Sequence, residues 1–267
     1  MAKAHREIAR WERSRRGAIG RLMDFVLGPA GVFTERMVPP WLKTSAAVVI
    51  EKSLRVAAYA SALSVDEQAV ALEQKRLIRR KKGVAESLRL CDDLAKKHWV
   101  NHCKYAAAEG AAAGLAGIVG FVADVPLVIS LAIREIRLIG LCFGYRVNTP
   151  AEVDYVIHVL RIGSSVDPNS KASSLDALKK IEAQQRGQAR GRRKQSCSRE
   201  RLPVRYLVSL EEYSRSLSLR LIRRGVLHFI PFAAAITGAS FNAAYAHDVG
   251  RAAYMSYRRR FLTDRAA

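Results

Sequence analysis

The sequence predicts an all-α protein: a single helical domain with Gly/Ala-rich, closely packed helices and a basic, disordered insertion. Three observations carry this. Apolar residues recur at helical spacing and nowhere alternate as in a strand. Two capping boxes mark helix starts, Ser64-Val65-Asp66-Glu67 and Thr149-Pro150-Ala151-Glu152. Of the 267 residues 49% are hydrophobic, but aromatics make up only 7%, so small side chains must fill the core. This composition excludes a disordered tail, a collagen-like fibre and a small disulfide scaffold.

Residues 1–34 read as a basic N-terminal arm, and the segment Met1 to Arg16 lacks the apolar stretch of a secretory signal. The box at Ser64 opens a long helix with Leu77, Ile78, Val84, Ala85, Leu88, Cys91 and Ala95 on one stripe. Its other face carries Arg76, Arg79, Arg80, Lys81 and Lys82. An apolar helix from about Pro126 to Phe143 follows, stopped by Gly144. The next helix starts at the Thr149 box, with Pro150 at its first position, shows Val153, Val156, Ile157 and Leu160 on one side, and can end at Gly163. Residues 164–202 change character: Ser, Gln, Gly and Arg dominate, which indicates a linker with a short helix near Leu175 to Gln185. A helix over Val204 to Arg224 and a last apolar segment leading to Arg258-Arg259-Arg260 complete the chain.

The formal net charge is +21, and it is unevenly placed. Residues 1–100 hold 20 basic and 11 acidic residues, and 164–224 hold 15 and 6, whereas 101–163 hold 5 of each. Such flanks suit an anionic membrane surface, which attracts basic segments by about 1 kcal/mol per nearby Lys or Arg. The residues expected to meet it are Arg79, Arg80, Lys81, Lys82, Arg192, Arg193, Lys194, Arg258, Arg259 and Arg260. Nucleic acid is the weaker alternative, because no aromatics interleave with the basic clusters. A solvated surface with no partner is the plainest reading.

Two uncharged stretches, Gly110 to Ala123 and Gly225 to His247, bear on the membrane. The second has 23 residues, but Ala, Gly, Ser and Asn contribute little to insertion. Buried helices or shallow docking fit them better than independent spans. Four cysteines, Cys91, Cys103, Cys142 and Cys197, form no C-x-x-C pair, which argues for reduced thiols over zinc or disulfides. The basic neighbours of Cys197 favour its thiolate.

Several linked motifs resemble those of the EcsC family. Glu109-Gly110-Ala111-Ala112-Ala113-Gly114-Leu115-Ala116-Gly117 precedes Ala123-Asp124-Val125-Pro126, and Ile133-Arg134-Glu135-Ile136 leads to Leu141-Cys142-Phe143-Gly144-Tyr145. Near the C-terminus stand Ile230-Pro231, Gly238, Phe241-Asn242, Tyr245, Asp248-Val249 and Arg259-Arg260-Phe261-Leu262. With Val38-Pro39, the resemblance covers roughly residues 35–163 and 203–262 and leaves 164–202 without a counterpart. It implies an α-helical, bacterial-type protein, cytoplasmic or membrane-associated. The family takes its name from a gene beside those of an ABC transporter, which makes a membrane protein such as a transporter a candidate partner. It implies no established biochemical activity.

Candidate sites are few. Glu109 and Asp124 flank the glycine-rich stretch, and a fold-back would bring the two carboxylates together as an acid–base or cation-binding pair. The structural alternative makes Asp124 a helix cap ahead of Pro126 and Glu109 a partner of an arginine such as Arg134. Asn242 is the third candidate for a buried polar site, with interhelical hydrogen bonding as its structural reading. His98 and His102 stand at i, i+4, a spacing that suits a metal, but Lys96, Lys97 and Lys104 surround them. Gly110, Gly114, Gly117 and Gly120 would line one helix face and permit close helix packing. No phosphate loop or nucleophile elbow occurs, and no cofactor or metal is expected.

The residues therefore favour a non-enzymatic, membrane-peripheral helical protein on the cytoplasmic face of the inner membrane, assisting an envelope, transport or secretion process. An enzyme, a hydrolase among the options, using Glu109, Asp124 and Asn242 is the alternative. A nucleic-acid-associated protein using the basic linker is the third reading.

Overall fold

The computed structural model describes residues 1–14, 17–18, 67–79, 83–115, 117–165, 168–191 and 231–266. These form seven helices: α1 (Ala2–Arg13), α2 (Glu67–Arg79), α3 (Val84–Leu115), α4 (Gly117–Cys142), α5 (Pro150–Gly163), α6 (Pro168–Gly191) and α7 (Pro231–Ala266). No strand occurs among the described residues, and the chain is all-α.

Three helices make the frame. α7 packs along α3, α4 also rests on both, and α5, α6, α1 and α2 attach around them. Arg258 of α7 meets Asp92 of α3, while Gly250 faces Trp99, so these two helices run antiparallel. Gly250 also faces Glu135 of α4 and Tyr257 faces Gly140, so α4 and α7 run parallel. Ile129, Ile136, Ile139, Tyr155, Leu160, Val249 and Tyr257 are fully buried where the helices meet.

Local signals explain the ends. Thr149 Oγ1 accepts the Glu152 amide at 3.3 Å, and Pro150 opens α5 as expected. Gly144 terminates α4 at φ +90, where a side chain would be strained, and the Tyr145 amide returns to the Gly140 carbonyl at 2.9 Å. At Gly163, where α5 ends, a Cβ would lie 2.6 Å from Val249 Cα, so glycine lets α5 touch the α7 backbone.

Four expectations change. The long helix read from Ser64 is two helices, broken before Val84, where Gly83 lowers helix propensity. Its capping box falls partly outside the described residues. α4 begins at Gly117 rather than near Pro126, so Asp124 and Pro126 lie inside the helix and Asp124 is no cap. Within the supposed linker, residues 168–191 form α6, which buries Leu175, Leu178, Ser174 and Glu182. The start of the N-terminal arm is a docked helix, with Ala4, Ile8 and Trp11 buried at i, i+4, i+7. The helix expected over Val204 to Arg224, Val38-Pro39 and Cys197 lie outside the described residues.

Candidate functional site

Three consecutive arginines near the end of α7 organise one end of the molecule. Successive residues on a helix point about 100° apart, so each reaches a different neighbour. Arg258 binds Glu7 of α1 and, at 2.9 Å, Asp92 of α3. Arg259 reaches Glu12 of α1 at 2.7 Å and Glu182 of α6 at 2.8 Å. Arg260 grips both oxygens of Glu152 on α5, at 2.6 and 2.9 Å, and stacks over the Tyr145 ring. The Tyr155 hydroxyl donates to Glu182 at 3.0 Å, closing the network.

Arg258 and Arg260 are buried and Arg259 is largely so, and their positive charge is matched internally. They were expected to meet an anionic membrane; instead, desolvated and paired, they hold five helices together. The bond from Arg258 keeps Glu7 below the usual carboxylate range. Burial pushes Asp92 up, against the pull of Arg258.

α1 is fastened at its C-terminal end as well. Lys171 of α6 donates to the Trp11 and Ser14 carbonyls at 2.6 and 2.9 Å and to Ser14 Oγ at 3.0 Å, a cation placed at the negative end of a helix. Burial lowers its ammonium to about 8. Beyond the helix, the Ala18 amide donates to Asp248 Oδ1 at 2.7 Å.

Halfway along the frame sits a second polar cluster. His102 Nε2 of α3 lies 3.3 Å from Glu135 Oε2 of α4, and Glu135 is 1% exposed. Trp99 stands beside them and packs on the ring of His247, 5.2 Å away. Burial raises Glu135 well above the usual carboxylate range and lowers His102 to about 4, with Arg134 pressing the same way. Burial thus disfavours the charged form of both groups.

Beyond this cluster the charge stops. From Tyr105 to Leu115 α3 carries Glu109 alone, from Gly117 to Ile133 α4 carries Asp124 alone, and α7 has no charged residue from Pro231 to His247. Continuing the observed registers at 1.5 Å per residue brings Leu115, Gly117 and the start of α7 to the same end. Leu115 is 64% exposed there, and Leu127 on α4 is 49% exposed.

The other sequence candidates fall as follows. The Glu109 carboxylate and Asn242 are buried, on α3 and α7. Asp124 lies on α4, and its side chain is outside the described residues, as is its relation to Glu109. Gly110 is buried on α3, while Gly114, Gly117 and Gly120 lie on the α3 and α4 backbones. The close approaches seen are instead at Gly140, Gly163 and Gly250. His98 and His102 share α3, but no group of three or more metal-type ligands occurs among the described residues. Arg79 ends α2; its side chain, with Arg80, Lys81, Lys82, Arg192, Arg193 and Lys194, lies outside the described residues.

Sequence reasoning missed Glu135 as a site residue. The available signal was an acid set between Ile133, Ile136 and Ile139, all of which are buried.

The EcsC protein family profile matches residues 2–262. The chain belongs to the EcsC protein family. The matched span takes in α1 and α6, which the motif resemblance had left aside. Protein EcsC of Bacillus subtilis (strain 168) is 32% identical over 93 residues, which is 35% of this chain and 39% of that protein. Uncharacterized protein YdbA of the same organism is 26% identical over 122 residues, 44% of each chain. The chain thus spans less than half the length of these relatives. No solved structure matches it.

Proposed function

We propose that this EcsC-family protein is a non-enzymatic, membrane-peripheral module on the cytoplasmic face of the inner membrane that assists an envelope, transport or secretion process, and that it docks by the uncharged end of the α3–α4–α7 frame. The observation that carries this reading is the segregation of charge along the three helices, with Leu115 and Leu127 exposed on the uncharged portion. No helix among the described residues is long and apolar enough to cross a membrane. The contact is therefore shallow, within the headgroup boundary, where each exposed leucine contributes up to about 1.5–3 kcal/mol on burial. Basic residues outside the arginine hub add attraction to anionic lipid, so binding weakens with salt.

Flotation with vesicles containing anionic lipid tests this. The full chain floats at low salt, and Leu115→Glu with Leu127→Glu lowers binding at least tenfold while leaving the melting temperature within a few degrees. Equal flotation of the variant, or no flotation of the intact protein, overturns the reading.

A further inference from the structure

Glu135 is the least expected group in the molecule. Its side chain is 1% exposed, and neither carboxyl oxygen makes a hydrogen bond. Buried polar groups almost always find a partner, so an orphaned carboxyl in a packed interface marks a functional device more often than an oversight of folding. Its surroundings come from all three frame helices. From α3 come Trp99, His102 and Cys103, with His98 one turn before His102, and Trp99 shares a side-chain hydrogen bond with Cys103. From α7 come Gly250, His247 and Asp248. α4 adds Arg134, whose charge acts on both histidines, and Glu73 of α2 acts on His98.

The packing is tight on the α7 side. A Cβ on Gly250 would fall 2.3 Å from Glu135 Oε1 and 2.3 Å from Trp99 Cδ1. Carboxyl, indole and the α7 backbone thus meet with no space for a hydration shell. A carboxylic acid can be held there; a carboxylate needs water or well-aimed donors, and the neighbour within reach, His102 Nε2 at 3.3 Å, makes no hydrogen bond to it.

We propose that Glu135 and His102 form a proton-operated latch joining α3, α4 and α7, closed while both are neutral and loosened when Glu135 gives up its proton. Transfer of that proton to His102 does not rescue the closed state, because burial first and Arg134 second oppose a charge on its ring. The latch sits where the uncharged portions of the three helices begin, so its opening frees that end to rearrange. This use rests on the docking reading above; the latch itself does not.

The sign follows from the two groups. Glu135 is raised, so it favours the fold at low pH, and that stability is lost as pH rises from the ordinary 4.5 through its folded value. His102 is lowered from 6.5 to about 4, so its contribution is complete above 6.5 and is lost as pH falls toward 4. Above about 4.5 the Glu135 loss is opposed by the His102 gain, and above 6.5 the His102 contribution no longer changes with pH.

Hydrogen exchange on the full chain without lipid, corrected for intrinsic rates, decides the matter. In the wild type, protection of α4 around residue 135 and of α7 around residue 250 falls with rising pH above 6.5. Glu135→Gln removes one proton's worth of that slope, a factor of about ten per pH unit. It also uncovers a decline from 6.5 toward 4. Identical pH profiles for the two proteins overturn the latch. Should the variant not fold, carbon-13 titration of the wild-type Glu135 carboxyl serves: titration near 4.5 overturns the latch, and titration well above it supports it. Vesicle binding at pH 6 and pH 8.5 forms a separate arm, in which a latch that regulates docking gives tighter binding at the higher pH. PH-dependent exchange without vesicle binding defeats the docking reading and leaves the latch standing; vesicle binding with a flat exchange profile does the reverse.

Discussion

The two ends of the α3–α4–α7 frame are built on opposite principles. At one end, Arg258, Arg259 and Arg260 are desolvated and each is tied to carboxylates on other elements. At the other, the same helices run for roughly 16 Å (α3) to 25 Å (α4 and α7) with almost no charge, and leucines stand exposed. The first end is held by directional contacts that only this fold satisfies. The second has no such ion pairs in its sequence to fix it, and it leaves apolar surface exposed at Leu115 and Leu127. The charge of Arg258, Arg259 and Arg260, which reads as a means of reaching a partner, goes into assembly of the fold.

This contrast can be broken at several points. The largest effect is expected at the arginine hub. Arg260→Ala leaves Glu152 buried without its cation and costs about 3–5 kcal/mol, read by chemical denaturation. Arg260→Met combined with Glu152→Leu recovers most of that loss, because the orphaned charge is gone. A loss below about 1 kcal/mol for the single variant would show that the network is incidental.

Gly250→Ala comes next. Its methyl group overlaps Trp99 and Glu135, and overpacking of this kind costs about 1–3 kcal/mol, here with loosening of α7 from α3 and α4. Unchanged stability would mean that the frame gives way there easily.

The smallest effect belongs to Lys171→Met. It removes three bonds to the exit of α1 and should cost about 1–2 kcal/mol, with faster amide exchange confined to residues 2–13. Because its ammonium is lowered from 10.5 to about 8, its protonation becomes harder in the fold than out of it. Wild-type stability from this group therefore rises with pH between about 8 and 10.5, and the variant lacks that rise. A variant with the wild-type profile would contradict the assignment.

What the sequence revealed and what it hid divide along the range of the interactions. The Thr149 cap, the stop at Gly144 and the end at Gly163 depend on neighbours a few residues away, and all three are seen, although the Glu152 carboxylate of the expected box goes to Arg260 instead. The role of Arg258 to Arg260 depends on Glu7, Glu12, Asp92, Glu152 and Glu182, scattered over the rest of the chain. A run of three arginines viewed alone resembles a surface patch. α6 was obscured for a related reason: only a narrow stripe around Leu175 and Leu178 is buried, and its Ser, Gln and Arg content resembles that of a linker. Glu135 is legible only as an acid in an apolar helix; its isolation from donors appears once α3 and α7 are in place.

The most direct test of the central claim is to ask which end of the frame meets lipid. An environment-sensitive dye is attached at Leu115→Cys or, separately, at Thr263→Cys, in a protein whose native cysteines are replaced by alanine. Titration with anionic vesicles should shift the emission to the blue at position 115 and leave position 263 unchanged. A shift at 263 with none at 115 would place the charged end on the membrane and contradict the account.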